Sequence, residues 1–261
     1  SRRQRQMCIR DRVIQDTIEG SDYSLRVHYL DEDADEVKEA VRMCREHKPM
    51  GILFLGGNIQ YFHEEFELVN VPCVLVTDRA DKLGFRNLAS VSTDDMAAAE
   101  MAVDYLFDHG HRDIAVIGGD MALSSPSKYR KAGAKRSFIK HGCEFEEESY
   151  AVARFSYESA YNAMNRMLAS QRSITAVFAM SDVMAVGAMR AIFDAGLRVP
   201  EDISVIGFDG TLLADYYNPK IVTVCQGYEK IARKSIDLLF GMIDLLSLIH
   251  ISEPTRPRLI S

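Results

Sequence analysis

The sequence predicts an α/β protein whose parallel sheets are covered by helices on both faces. Two observations carry this reading. The apolar runs GILFLGG (51–57), PCVLVT (72–77), IAVIGG (114–119), TAVFAM (175–180) and ISVIGF (203–208) lack the polar alternation of a half-exposed strand. Between them lie stretches whose apolar residues recur at helical spacing.

In chain order, SLRVHYL (24–30) reads as the first strand. A helix follows from about Ala34, with Val37, Ala40, Val41 and Cys44 on one face and an acidic start suited to the positive end of a helix dipole. The strands at 51–57 and 72–77 come next, with a helix expected between them. Met96, Ala99, Val103 and Leu106 form a second stripe that ends near Gly110. After 114–119 a helix is expected near 127–141, then the strand at 175–180. The next helix carries Met184, Ala188, Ala191, Ile192 and Ala195, and stops at Gly196 with Pro200 beyond. ISVIGF and IVTVC (221–225) are the last strands, and an amphipathic helix runs on from about Tyr228.

The 261 residues are 47% hydrophobic and 26% charged, with seven prolines and no tryptophan, which excludes collagen-like, disulfide-scaffold and disordered classes. No apolar run reaches the ~20 residues of a membrane span. Both ends read as translated sequencing adapter. Codons ATG TGT ATA AGA GAC give Met7 to Asp11, and the reverse complement of that stretch, slightly extended, gives Leu246 to Ile251. Residues 1–12 and 246–261 are therefore set aside. Their removal takes away seven arginines and two acidic residues and moves the net charge from −7 to −12. Both natural termini are then expected to be missing. So acidic a segment does not bind nucleic acid through its net charge. Of five cysteines, Cys44, Cys73, Cys143 and Cys225 lie inside the genuine segment without metal-ligand spacing, and read as buried free thiols of a reducing cytoplasm.

Ligands of open parallel sheets bind beyond the carboxyl ends of the strands. Those positions hold Asp78-Arg79, Gly119-Asp120, Ser181-Asp182, Asp209 and Gln226. Short acidic, amide and hydroxyl groups with an arginine suit a neutral polyol, whose hydroxyls both donate and accept. Asp182 equally suits a helix cap. FDGTLLAD (208–215) resembles the first motif of haloacid-dehalogenase-type phosphatases, but Gly207 stands where the nucleophilic aspartate belongs, so no phosphoryl-enzyme can form. No serine elbow, phosphate loop, dinucleotide fingerprint or HExxH is present, so no catalytic residue, metal site or cofactor is expected. His109 and His111 suit a helix end, and Lys128, Arg130, Lys131, Lys135, Arg136 and Lys140 a solvated face with one arginine turned inward.

GHRDIAVIGG (110–119), the Arg130-x-x-Gly133 spacing, SDVMAVGAMRAIFDAGLRVPEDISVIGFDG (181–210) and NPKIVTVCQ (218–226) closely resemble the LacI/GalR transcription regulators. The resemblance covers 13–245. It implies a two-lobed fold of the type I periplasmic-binding-protein kind, truncated at both ends, with an N-lobe of 13–109 and 228–245 and a C-lobe of 110–227. In that family a small effector binds between the lobes, and an N-terminal helix-turn-helix headpiece, absent here, binds operator DNA. The implied ligand residues are Arg130, Asp209, Phe155 as a stacking platform, Gln226, Asp95, and Ser181 where the family has asparagine. Val186 and Tyr217 match its dimer interface. The implied protein is a cytoplasmic, homodimeric, non-enzymatic repressor that senses a sugar or sugar derivative. A periplasmic sugar-binding protein of a transport system is the alternative. The family's first strand, internal to the N-lobe sheet, would lie upstream of residue 13, leaving its neighbours' ladders unmade and the chain poorly folded and unable to hold an operator.

Overall fold

The computed structural model describes residues 9–30, 34–76, 78–80, 82–170 and 173–251. The segments assigned to adapter lie mostly outside these residues. Two compact units form: one from residues up to Ser92 with those from Glu229, the other Thr93–Tyr228. The division falls at Thr93, where the sequence placed it at 110. Helix α3 (Asp95–Asp108) goes with the second unit because it packs along α4 (Ser125–Lys140).

The first unit carries α1 (Ile9–Glu19), α2 (Glu36–His47), β1 (Ile52–Leu55), β2 (Cys73–Val76), β3 (Leu88–Val91) and α8 (Tyr228–Ile251) from Glu229 onward. Its strands are parallel in the order β1-β2-β3. Alternation sorts them cleanly. Ile52, Phe54, Cys73 and Leu75 pack with Val37, Ala40 and Val41 of α2, while Val74 and Val76 pack with Ile231, Leu239 and Ile243 of α8. Asp35 caps α2, accepting from the Val37 and Lys38 amides at 3.0 Å each.

Two expectations for this unit are corrected. SLRVHYL is not a strand: among the described residues β1 pairs with β2 alone, so residues 24–30 join no ladder, and Leu25, Val27 and Tyr29 are exposed. Two short 3₁₀ turns, Ile59–Tyr61 and Glu64–Leu68, replace the helix expected between β1 and β2. They suffice because Phe62 and Phe66 plug the core against Phe54, with ring centroids 5.0 and 6.3 Å away. The sequence also gave no sign of β3, whose LASV is too short and mixed to register as a strand.

The second unit holds β4 (Ile114–Gly118), β5 (Tyr150–Val152), α5 (Tyr157–Ala169), β6 (Ala176–Ala179), α6 (Asp182–Asp194), β7 (Ser204–Asp209), α7 (Leu212–Tyr216) and β8 (Val222–Cys225). Its sheet is parallel throughout, in the order β5-β4-β6-β7-β8. The chain leaves β4 towards β5 and returns to β6, so right-handed crossovers place α4 and α5 on opposite faces and open a switch point between β4 and β6. Helix α6 packs on α5 as α4 does on α3. Sequence patterning missed β5, α5 and α7. Cys225 is exposed rather than buried, because β8 is an edge strand that turns only Val224 fully inward.

Gly133 is where α4 meets α3 closely: a Cβ there would run into the Met96 carbonyl oxygen and lie 3.0 Å from Ala99 Cβ. Gly133→Ala should gain about 1 kcal/mol of helix propensity. The clash is with backbone, which cannot rotate away, so overpacking wins and a net loss of about 1–2 kcal/mol is expected in urea unfolding.

Candidate functional site

In the second unit, residues at the carboxyl ends of β6, β7 and β8 gather beside Arg130 of α4. Asp94 caps α3, accepting from the Ala97 amide at 3.1 Å, which sets Asp95 in the first turn, at the positive end of the helix dipole. Ser124 caps α4 through the Ser127 amide. Arg130 follows six residues after the cap and points inward, only 5% exposed.

There Arg130 Nε donates to Asp95 Oδ1 at 2.7 Å, and one Nη donates to the Met180 carbonyl, at the end of β6, at 2.6 Å. The guanidinium carbon sits 3.8 Å from the centroid of the Phe208 ring, a cation–π contact that supports the charge where water is excluded. Asp209, the last residue of β7, brings Oδ1 to 4.0 Å from Arg130. That same oxygen accepts from Gln226 Nε2 at 2.6 Å, and Gln226 Oε1 accepts from Thr93 Oγ1 at 3.2 Å. Asp95, Arg130, Asp209 and Gln226, expected from sequence, thus form one continuous polar chain.

The electrostatics are unbalanced. Two carboxylates share one guanidinium, and both pay for burial. Burial is the largest influence on Asp209 and, helped by the charge of Asp182, pushes its carboxyl up to about 6 against the pull of Arg130, Tyr228 and Gln226. Asp95 is raised as well, by burial acting against Arg130. Asp209 also has φ +120°, rare for a residue with a side chain and a store of strain.

Phe155 lies apart from this chain, before α5, with 41% of its surface exposed. Its ring crosses the end of β4 only because Gly119 has no side chain: a Cβ there would lie 2.9 Å from Phe155 Cε2 and 2.5 Å from Ser127 Oγ. Ser181 is buried and caps α6, its Oγ accepting from the Met184 amide at 3.1 Å. The cap is therefore Ser181 and not Asp182. Val186 on α6 and Tyr217 after α7 are half-buried against the core of the unit. Asp78 and Arg79 belong to the other unit.

On α4 two basic residues turn inward where one was expected. Lys131 is buried, donates to Glu147 at 2.6 Å and stands 4.3 Å from the Tyr150 ring centroid. His109 caps α3, its Nδ1 2.7 Å from the Tyr105 carbonyl, and His111 Nδ1 lies 3.1 Å from Thr175 Oγ1. Among the described residues no group of three His, Cys, Asp or Glu could hold a metal, and no helix is long and apolar enough to cross a membrane. Sequence reasoning missed Thr93, the Met180 carbonyl and Phe208 as partners, since nothing local marks a residue that acts across the sheet.

Residues 103–260 match the periplasmic binding protein-like domain family. The chain is 34% identical over 236 residues to the HTH-type transcriptional regulator MalR of Clostridium butyricum, covering 88% of this chain and 70% of that one. It is 33% identical over 209 residues to the HTH-type transcriptional repressor CytR of Escherichia coli (strain K12), covering 79% of this chain and 59% of CytR. The solved complex of the transcriptional regulator CelR with cellobiose superposes with a TM-score of 0.80 at 25% identity, over 90% of this chain and 71% of that one. These relatives are regulators, not transport receptors or enzymes. The chain belongs to the LacI/GalR family of transcriptional regulators, as its periplasmic-binding-protein-like effector domain.

Proposed function

We propose that this chain is the effector-sensing and dimerisation part of a cytoplasmic repressor, and that its second unit binds a neutral sugar through Asp95, Arg130, Asp209, Gln226 and Ser181 with Phe155 as stacking platform. The observation that carries the proposal is the Asp95–Arg130–Asp209–Gln226 chain beyond the carboxyl ends of β6, β7 and β8 in a parallel sheet. Two carboxylates against one guanidinium favour a ligand without negative charge, whose hydroxyls donate to the carboxylates. An exposed aromatic face suits the apolar face of a pyranose. Val186 and Tyr217 are proposed to face a second copy of the chain, and a helix-turn-helix headpiece outside this sequence to hold operator DNA. The effector shifts operator affinity by as much as its affinities for the two states differ.

Calorimetric titration with cellobiose, maltose, glucose, galactose and ribose, beside glucuronate and glucose 6-phosphate, tests this. One neutral sugar should bind saturably and the two anions should not. Binding of only the anions, or of none of the set, would overturn the neutral-sugar reading. Phe155→Ala should then weaken the bound sugar roughly tenfold, about 1.4 kcal/mol. The melting temperature should change little, because Phe155 is 41% exposed and stands outside the buried core.

A further inference from the structure

We propose that Asp182 is the positioning residue of this site: its carboxylate clamps Thr211 and Thr223 and thereby holds the Asp209–Gly210 turn in the conformation that aims Asp209 at Arg130 and Gln226. The inference rests on Asp209 being a ligand-binding carboxylate, as proposed above.

Asp182 is fully buried in the first turn of α6, yet it does not serve its own helix, because Ser181 is the cap. Both of its oxygens reach across the sheet. Oδ2 accepts from the Thr211 amide and from Thr211 Oγ1, each at 2.7 Å, and Oδ1 accepts from Thr223 Oγ1 at 2.5 Å. Thr223 Oγ1 in turn accepts from the Gly210 amide at 3.2 Å. The two residues after Asp209 are therefore tied, one directly and one through Thr223, to a single buried carboxylate.

The turn needs such a tie. Asp209 at φ +120° and Gly210 at φ +70° are consecutive left-handed residues, and only the second is a glycine. Released, Asp209 would relax to an extended φ, turning its side chain away from Gln226. Charge-assisted bonds to a buried carboxylate are strong enough to prevent that relaxation. The same contact explains Gly207. A Cβ at Gly207 would lie 2.5 Å from Asp182 Oδ1. The glycine that stands in place of a phosphatase nucleophile is what gives the Asp182 carboxylate room to cross β7.

The test uses the 261-residue chain with Asp182→Asn, Thr211→Val, Thr211→Ser and Thr223→Val. Two readouts need no ligand: amide hydrogen exchange at Gly210 and Thr211, and the Asp209 HN–Hα coupling, which is small at φ +120° and large in an extended residue. Thr211→Val and Thr223→Val should speed exchange at one or both amides at least tenfold and move the coupling towards the extended value, while Thr211→Ser leaves both as in the parent. Affinity for whichever neutral sugar the panel identifies should fall about tenfold in the valine variants. A merely structural role would lower the melting temperature and leave the coupling and the local exchange alone; that result overturns the proposal. If Asp182→Asn fails to fold, the two valine variants decide. Asp209→Asn separates the two readings: retained sugar affinity there removes Asp209 from the site, whereas the coupling and exchange still report on Asp182.

Discussion

Asp209→Asn is expected to weaken sugar binding roughly a hundredfold and to make the empty protein more stable above pH 6. The carboxyl of Asp209 is raised to about 6 from an ordinary 3.8, mainly by burial. A carboxyl raised on folding contributes stability that is fully present below its unfolded value, near pH 4, and is lost as pH rises through the folded value. Above pH 6 the ionised group therefore costs up to about 3 kcal/mol, at 1.36 kcal/mol for each pH unit of displacement. Asparagine keeps the shape and the bond from Gln226 without the charge. Urea unfolding of both proteins from pH 4 to 8 should give curves that meet near pH 4 and diverge to a plateau above pH 6, with the variant on top. Parallel curves would mean that Asp209 is solvated. In the same variant the sugar loses its charged acceptor, a loss of about 2–3 kcal/mol or roughly a hundredfold in affinity. A residue that destabilises the empty protein and strengthens the filled one belongs to a binding site rather than to the core.

Much of the fold was legible because parallel strands buried on both faces are continuous apolar words. IAVIGG and TAVFAM each contain the strand the structure forms, and ISVIGF holds all of β7 but its last residue, Asp209. What failed was short or depended on a neighbour. LASV (88–91) is a strand because β2 lies beside it, and SLRVHYL, with the better strand composition, is none because no ladder among the described residues adjoins it. Tertiary pairing overrides propensity in both cases. Helix α5 is a different case: Ala160, Ala163, Met164 and Met167 stand at i, i+3, i+4 and i+7, a stripe present in the sequence that the reading of its elements passed over. At the site, the acidic and amide side chains could be read from their places after strands. The architecture behind them could not. Asp182 and Thr211 are 29 residues apart in sequence, and a bond between them has no periodicity to find. The basic run on α4 misled in the same way. Charge spacing describes a solvated face well, but Arg130 and Lys131 are drawn inward by Asp95 and Glu147, and both partners lie outside the helix.

Arg130→Met should be the most damaging single change to the second unit, costing about 3–5 kcal/mol in urea unfolding at pH 7. The buried guanidinium satisfies Asp95 and the Met180 carbonyl together and rests on the Phe208 ring. Methionine fills the volume and keeps the packing on Phe208, but it leaves Asp95, 7% exposed, as a buried charge without its partner, and the carbonyl loses its donor. The Asp95 carboxyl is already raised with Arg130 present. With the opposing influence gone it rises further, so the variant should regain stability as the pH falls and the group is neutralised. The pair itself is expected to be worth little. Adding Asp95→Leu to Arg130→Met removes both charges and should recover most of the loss, although the helix start gives up an acidic residue favourable to its dipole. Neither protein should bind the sugar. If the double variant were as unstable as the single one, the damage would lie in the lost donor to Met180 and the lost cation on Phe208, and Arg130 would be a core residue first. Recovery of stability without recovery of binding would show that this buried ion pair is kept for the ligand and not for the fold.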